Sequence, residues 1–387
     1  MERQYLEDDY LYEDEDAMSC LRELRSKIDY AKKNGNIEKA LFLYMDYVRC
    51  DVFRLYCKNA IAILPEFMDL LDRHPEYYDH RINVMIGYKW VLAGIDGYLW
   101  YSLDDLADFY RLYHYLCLKY GYSLRTYYQF LWTFLRDHKS LQEKFGLSAE
   151  EAHKLYKLEI KDRLSDSDSI EDDGEVSYYL TVDNDPEKAI SIIQPYFDGI
   201  KKGREIPHHS YFLFAKYYFK HKLLEPMITN AKQSLKLYDR DFPDYRTYIS
   251  IRSYLFLFLS FRYPQKSIRI FKKILPYAPE SQSLFVRMIF YRSAYKLFVQ
   301  LERIGYNELY LDLPSKLSET RLTGNGKYTV AELKELFYTK AKYLADKFDE
   351  RDGEPSHNDN LNEIPVLNEC HYGKAMHQKS TPAKRRF

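Results

Sequence analysis

The sequence predicts an all-α protein, an α-solenoid of antiparallel helix pairs, and three observations carry that expectation. Apolar residues recur at gaps of three and four through most of the 387-residue chain, which is the period of one helix face. Glycine and proline, at 14 each, are scarce for this length, so little interrupts long helices. A helix-opening phrase also returns, as GNIEKALFLY at Gly35 to Tyr44, DPEKAISII at Asp185 to Ile193 and YPQKSIRIF at Tyr263 to Phe271.

In chain order, residues 1–16 (MERQYLEDDYLYEDED) are an acidic N-terminus expected to be disordered. The start lacks the positive charge and apolar core of a secretory signal. The longest frankly apolar run, Tyr254 to Phe261 between Arg252 and Arg262, is far shorter than the roughly 20 residues a bilayer crossing takes. A cytoplasmic protein with no membrane partner is the expectation.

Residues 17–161 read as an N-terminal helical region with degenerate repeats. Leu103, Leu106, Tyr110, Tyr113, Cys117 and Tyr120 lie at gaps of 3, 4, 3, 4 and 3, one helical stripe. A break at Gly121-Tyr122 follows, and Leu124, Tyr128, Leu131 and Leu135 resume the rhythm, so the pair reads as a helical hairpin. Ser148 followed by Glu151 offers a capping box. Residues 162–175 (DRLSDSDSIEDDGE), with seven acids against one Arg, read as an acidic linker or loop, or as a docking or phosphorylation segment.

Residues 176–349 form the C-terminal repeat region. Asp185-Pro186 supplies an N-cap carboxylate and a ring whose missing N–H would lack a partner anyway. Thr329 and Glu332 repeat the capping box. The aliphatic marks Ile190, Ile228, Ile268 and Leu309 are separated by 38, 40 and 41 residues, and each is expected to open a second helix. Aromatic first helices precede the last three: SYFLFAKYYFKH, TYISIRSYLFLFLSF and LFVRMIFYRSAYKLFVQL. Leu41 stands 149 residues before Ile190, about four periods. A two-helix period of this length is the mark of an α-solenoid, whose units hide their apolar sides by stacking. Residues 350–387 read as a disordered tail whose basic end carries Lys374, Lys379, Lys384, Arg385 and Arg386.

These residues resemble the tetratricopeptide-like superfamily. Its second helix carries a small residue near the start, matched by Ala40, Ala189 and Ser267 but by Met227 in one copy, and a bulky residue four places on, matched by Tyr44, Ile193 and Phe271 but not by Ala231. The small residue midway along the first helix is matched by Ser177 and Ala215 and missed by Ile28 and Leu255; the closing proline appears only as Pro279. The likeness covers about Val176 to Leu313, with Cys20 to Cys50 less well matched, and the stretch from Tyr179 to Phe219 is similar to bacterial tetratricopeptide-like proteins of undefined partner. The resemblance implies that first helices line a concave groove, and it places Tyr178, His209, Phe212, Lys216, Lys220 and Arg252 there. Cations beside aromatic rings suit a peptide bearing carboxylates.

Motifs for chemistry are sparse. RLTGNGKYT puts Arg321 where a phosphate loop needs its first Gly and Tyr328 after Lys327, so a turn between helices explains it better. A single Glu150-x-x-His153 pair falls short of the two such pairs, with two further glutamates, of di-iron bundles. His208 and His209 are adjacent, so on a helix they diverge by about 100°. Five cysteines at irregular spacing, Cys20, Cys50, Cys57, Cys117 and Cys370, read as buried free thiols, with Cys370-His371 in the tail. The net charge of −1 lacks a nucleic-acid binder's footprint, leaving only the basic tail for such contact. No catalytic, cofactor-binding or metal residue is singled out. The expected function is a non-enzymatic protein- or peptide-binding scaffold; a peptide-responsive regulator and an enzyme with dispersed active-site residues are the alternatives.

Overall fold

The computed structural model describes residues 15–52, 57–203, 206–314, 317 and 326–363. Among these described residues are seventeen α-helices and one small β-hairpin. The chain divides into two compact units. Met1–Asp172, Pro276–Ile289 and Lys340–Asn358 make the first; Asp173–Leu275, Phe290–Thr339 and Asp359–Phe387 make the second.

In the first unit, helices α1 (Glu15–Lys33) and α2 (Ile37–Cys50) pack against each other. The opening phrase explains the turn between them. Gly35 sits at φ +69°, a left-handed position that glycine takes without strain, and the Asn36 amide returns to the Ala31 carbonyl at 2.9 Å. The Asn36 side chain then accepts from the Lys39 amide, starting α2. Helices α3 (Lys58–Arg73) and α4 (Arg81–Gly94) follow. Buried Asp51 caps α3, its carboxylate accepting the Asn59 and Ala60 amides at 2.9 and 2.6 Å.

Helix α5 (Leu103–Lys119) opens on a Ser102–Asp105 capping box that the sequence reading passed over. Leu106, Tyr110, Tyr113 and Cys117 of its stripe are all buried. Gly121, at φ +72°, turns the chain into α6 (Arg125–Asp137), and Tyr110 stacks on Phe134 with centroids 4.3 Å apart, closing the expected hairpin. The short α7 (Gln142–Phe145) leads to α8 (Ala149–Leu158), which starts at the expected Ser148–Glu151 box and packs on α6.

The acidic stretch 162–175 departs from a linker or loop, because α9 (Asp168–Thr181) begins inside it. Its acids find partners: buried Glu171 accepts from Arg125 at 2.9 Å and lies 2.8 Å from the Lys161 ammonium. Charge that reads as solvated in composition is here neutralised across helices.

In the second unit, α10 (Pro186–Phe197) opens with the Asp185 carboxylate accepting the Lys188 amide. Helices α11 (His208–Lys220) and α12 (Leu224–Asp241) pack as one pair, α13 (Ile249–Ser260) and α14 (Pro264–Ile274) as the next. Helix α9, together with α15 (Leu284–Arg303), α16 (Val330–Asp352) and α17 (Ser356–Asn362), contributes residues to both units. Ile190, Ile228 and Ile268 fall in α10, α12 and α14. The small-and-bulky positions of the second helices, Ala40 and Tyr44, Ala189 and Ile193, Met227 and Ala231, and Ser267 and Phe271, are all 0% exposed. Phe271 anchors the core: it stacks on Phe290 and meets Phe256 and Phe298 edge-on, while Phe298 packs on Phe337, all with centroids within 6 Å. Each such buried ring contributes about 1.5–3 kcal/mol.

Two further expectations are corrected. Leu309 opens no helix: it lies in β1 (Glu308–Tyr310), opposite Tyr328 of the antiparallel β2 (Lys327–Thr329). Gly305, at φ +87°, ends α15 in a left-handed turn with the Tyr306 amide on the Leu301 carbonyl, and the extended chain beyond it pairs. Strands of three residues are too short to show sustained alternation. The described start of the expected tail is also folded. The Asp349 carboxylate accepts the His357 and Asn358 amides at 2.8 and 3.0 Å, capping α17, and Leu361 is wholly buried. Residues 1–14 and 364–387, with Cys370, His371 and the basic end, lie outside the described residues.

Candidate functional site

Of the six residues expected in a groove, three lie together on α11. His209 and Phe212 are in ring contact at 5.7 Å, Phe212 reaches Tyr254 of α13 at 5.7 Å, and the Lys216 ammonium lies 5.7 Å from the centre of the same Tyr254 ring. Helices α11 and α13 pack side by side, so the row crosses from one helix to the other. Lys220 is exposed at the end of α11. Tyr178 is buried on α9, edge-on to Tyr179. Phe212 is buried too, so the rings serve as the floor of the row. His209 is held by Asp173 at 2.5 Å, and the Ser210 hydroxyl donates to the other oxygen of that carboxylate at 2.6 Å. An acid from the supposed linker thus fixes the start of α11.

Arg252 corrects the expectation of a groove cation. It is 0% exposed, donates to Asp239 at 2.7 Å and to the carbonyls of Phe242 and Tyr238, and stacks 4.1 Å from the Tyr245 ring. The Phe242 carbonyl stands at the C-cap of α12, where the helix dipole favours a cation, and the Tyr238 carbonyl one turn back also accepts the Phe242 amide at 2.9 Å. Arg252 is therefore a cap for α12, neutralised by its own carboxylate.

The row continues where sequence reasoning did not look. Arg292 of α15 donates to the Tyr254 hydroxyl at 2.7 Å, and Lys296, one turn on, donates to the Asn360 carbonyl at 2.5 Å with its side-chain oxygen at 3.3 Å. Both cations are 6% exposed. Neither has a carboxylate within ion-pair distance among the described residues. Burial, then the neighbouring Arg292 charge, pull the Lys296 ammonium down to about 7; Glu363 acts the other way. A signal was present in the sequence: Arg292 and Lys296 sit in a helix segment apolar nearly all round (IFYRSAYKLF), where no solvated face is left for them.

In the first unit His138 Nε2 lies 2.7 Å from Asp96, Arg351 bonds Asp352 at 2.6 Å and the Asp96 carbonyl at 2.7 Å, and His357 lies 3.2 Å from Asp352. Burial works against a charged imidazole, but the Asp96 bond and charge outweigh it and raise His138. An apolar depression of about 280 Å³ is lined by Ile61, Ile95, Phe109 and Leu112, with Asp105 at its edge engaged in the Ser102 cap. His153 is buried against Trp132 while Glu150 is exposed, so the pair makes no joint site. Lys327 of the phosphate-loop-like stretch pairs with Glu308 across the hairpin. Cys20 and Cys50 are half-buried rather than buried as expected, while Cys57 and Cys117 are buried and burial pushes their thiols up to about 12. Among the described residues no group of His, Cys, Asp and Glu has a metal-holding arrangement, and no helix is long and apolar enough to cross a membrane.

Comparison of the chain with protein-family models, curated proteins and solved structures finds no match.

Proposed function

We propose that this chain is a non-enzymatic scaffold of tetratricopeptide-like helix pairs, acting in the cytoplasm, that binds an acidic segment of a protein or peptide along the face made by α11, α13 and α15. One observation carries the reading: His209, Phe212, Tyr254 and Arg292 form a continuous row across α11, α13 and α15, with Lys216 facing solvent beside it. Aromatic rings supply apolar contact with little entropy to lose, and cations on a packed scaffold set the register of a carboxylate-bearing segment. The buried small-and-bulky positions of the second helices support the paired-helix part of the reading.

The test is selection from a random peptide library on the intact chain. The expected outcome is enrichment of sequences rich in Asp and Glu with an aromatic or aliphatic anchor, and loss of those binders, by about tenfold or more in affinity, in a Lys216→Glu, Lys220→Glu variant. Binders without acidic residues, or a variant that retains full affinity, would remove the assignment. Arg252 is left unaltered, since its replacement would report on the α12 cap.

A further inference from the structure

We propose that Arg292, Lys296 and the Tyr254 hydroxyl, with Lys216 beside the same ring, form a binding site for a doubly charged oxyanion, a phosphate group. Buried charge is strongly unfavourable unless it is paired. Four other deeply placed cations have a carboxylate: Arg252 meets Asp239 at 2.7 Å, Arg125 meets Glu171 at 2.9 Å, Lys89 meets Asp166 at 2.5 Å and Arg351 meets Asp352 at 2.6 Å. Arg292 and Lys296 are as deeply placed, yet their partners are neutral oxygens, those of Tyr254 and Asn360.

The two cations are four residues apart on α15, so they share a helix face and repel each other. Burial, and then the Arg292 charge, disfavour the charged form of Lys296. An incoming dianion would match both charges, whereas a single carboxylate would leave one unmatched. The guanidinium fork suits bidentate contact with an oxyanion, the ammonium acts as a point charge, and the exposed Lys216 offers a third cation at the Tyr254 ring. The phosphate group is either free inorganic phosphate or a phosphoryl group carried on a peptide. The site rests on the proposed binding face only for the identity of what carries that group.

The full chain is titrated calorimetrically at fixed ionic strength with sulfate, inorganic phosphate, acetate and a capped Ala-phosphoserine-Ala peptide. Sulfate stays dianionic from pH 6 to 9, so any pH dependence belongs to the protein. One sulfate or phosphate per chain is expected to bind, acetate about tenfold more weakly, and sulfate affinity is expected to fall about tenfold from pH 6 to 9 as Lys296, between Arg292 and Glu363, loses its proton. Arg292→Met and Lys296→Met each weaken sulfate about tenfold or more, while Lys39→Ala, at an exposed position of the first unit, leaves it unchanged. Lys296→Arg keeps the charge without titrating, so its sulfate affinity is expected to be flat with pH; this variant serves if a methionine variant does not fold. Tighter binding of the phosphoserine peptide than of inorganic phosphate places the group on a chain, and the reverse makes it free; both fit the proposal. Absence of sulfate and phosphate heats, or folded methionine variants that bind as the parent does, would overturn it. Sulfate binding of this pattern with no acidic peptides selected would sink the scaffold reading and leave this site standing.

Discussion

The Arg252 corner and the Arg292–Lys296 pair are both cationic, both almost wholly buried and both in the second unit, yet they differ in what surrounds the charge. Arg252 is enclosed by a carboxylate, two helix-terminal carbonyls and an aromatic face. Arg292 and Lys296 meet a phenol, an amide carbonyl, each other's field and, beyond ion-pair distance, that of Glu363. Depth alone therefore does not separate structure from site. A cation with its own counter-charge completes the fold; a pair without one leaves work for a ligand.

The largest expected effect breaks the first half of that comparison. Arg252→Met leaves the Phe242 carbonyl and the Asp239 carboxylate, itself 41% exposed, without their donor, and each lost hydrogen bond to a charged group costs about 1.5–3 kcal/mol. The urea midpoint measures it. If Arg292→Met, at neutral pH and without added anion, destabilises the chain as much as Arg252→Met does, the distinction between the two places fails.

A smaller effect sharpens the second half. Lys296 has a folded-state value of about 7 against an ordinary 10.5, so between these values the unfolded chain binds more protons and stability rises with pH. Below about pH 7 both states hold the proton and the penalty is constant. Relative to Lys296→Met, which lacks the titration, the parent chain is expected to gain on the order of 3 kcal/mol between pH 6.5 and 9.5. Urea midpoints of both chains at the two pH values give the difference, in which other titrating groups cancel. A difference independent of pH would mean that Lys296 titrates normally and the pair is not charge-stressed.

How far the sequence reveals these places follows from the range of the interactions. Helix starts rest on contacts three residues long, and the Asp185, Ser148 and Thr329 signals are all realised as caps. The inward second-helix positions follow from helical period. Leu309 was misread because the spacing counted residues while Gly305 had already ended the helix. The stretch around Glu171 and Asp173 was misread because composition shows charge and not the Arg125, His209 and Ser210 side chains that meet it 36 to 46 residues away. Arg252 looked like a groove cation because its acceptors lie 10 to 14 residues back, at a helix end whose position only the fold sets. The row from His209 to Phe212 and Lys216 was legible, being one helix face; its extension to Tyr254 and Arg292 needed the packing of α13 and α15.

The smallest effect tests whether exposure is the third term of the comparison. Lys216 faces solvent, and its contact with the Tyr254 ring at 5.7 Å is near the outer limit of useful cation–π distance. Among the described residues no carboxylate holds it, so Lys216→Ala is expected to change unfolding free energy by no more than about 0.5 kcal/mol. The same change should weaken sulfate about two- to fivefold, because a cation beside an anion site acts through the field even when it contributes nothing to the fold. Adding salt should erase that difference while leaving the effect of Arg292→Met largely in place, since screening acts on exposed charge far more than on buried charge. A loss in Lys216→Ala that survives high salt would place its ammonium in direct contact with the ligand, making it part of the site's inner wall.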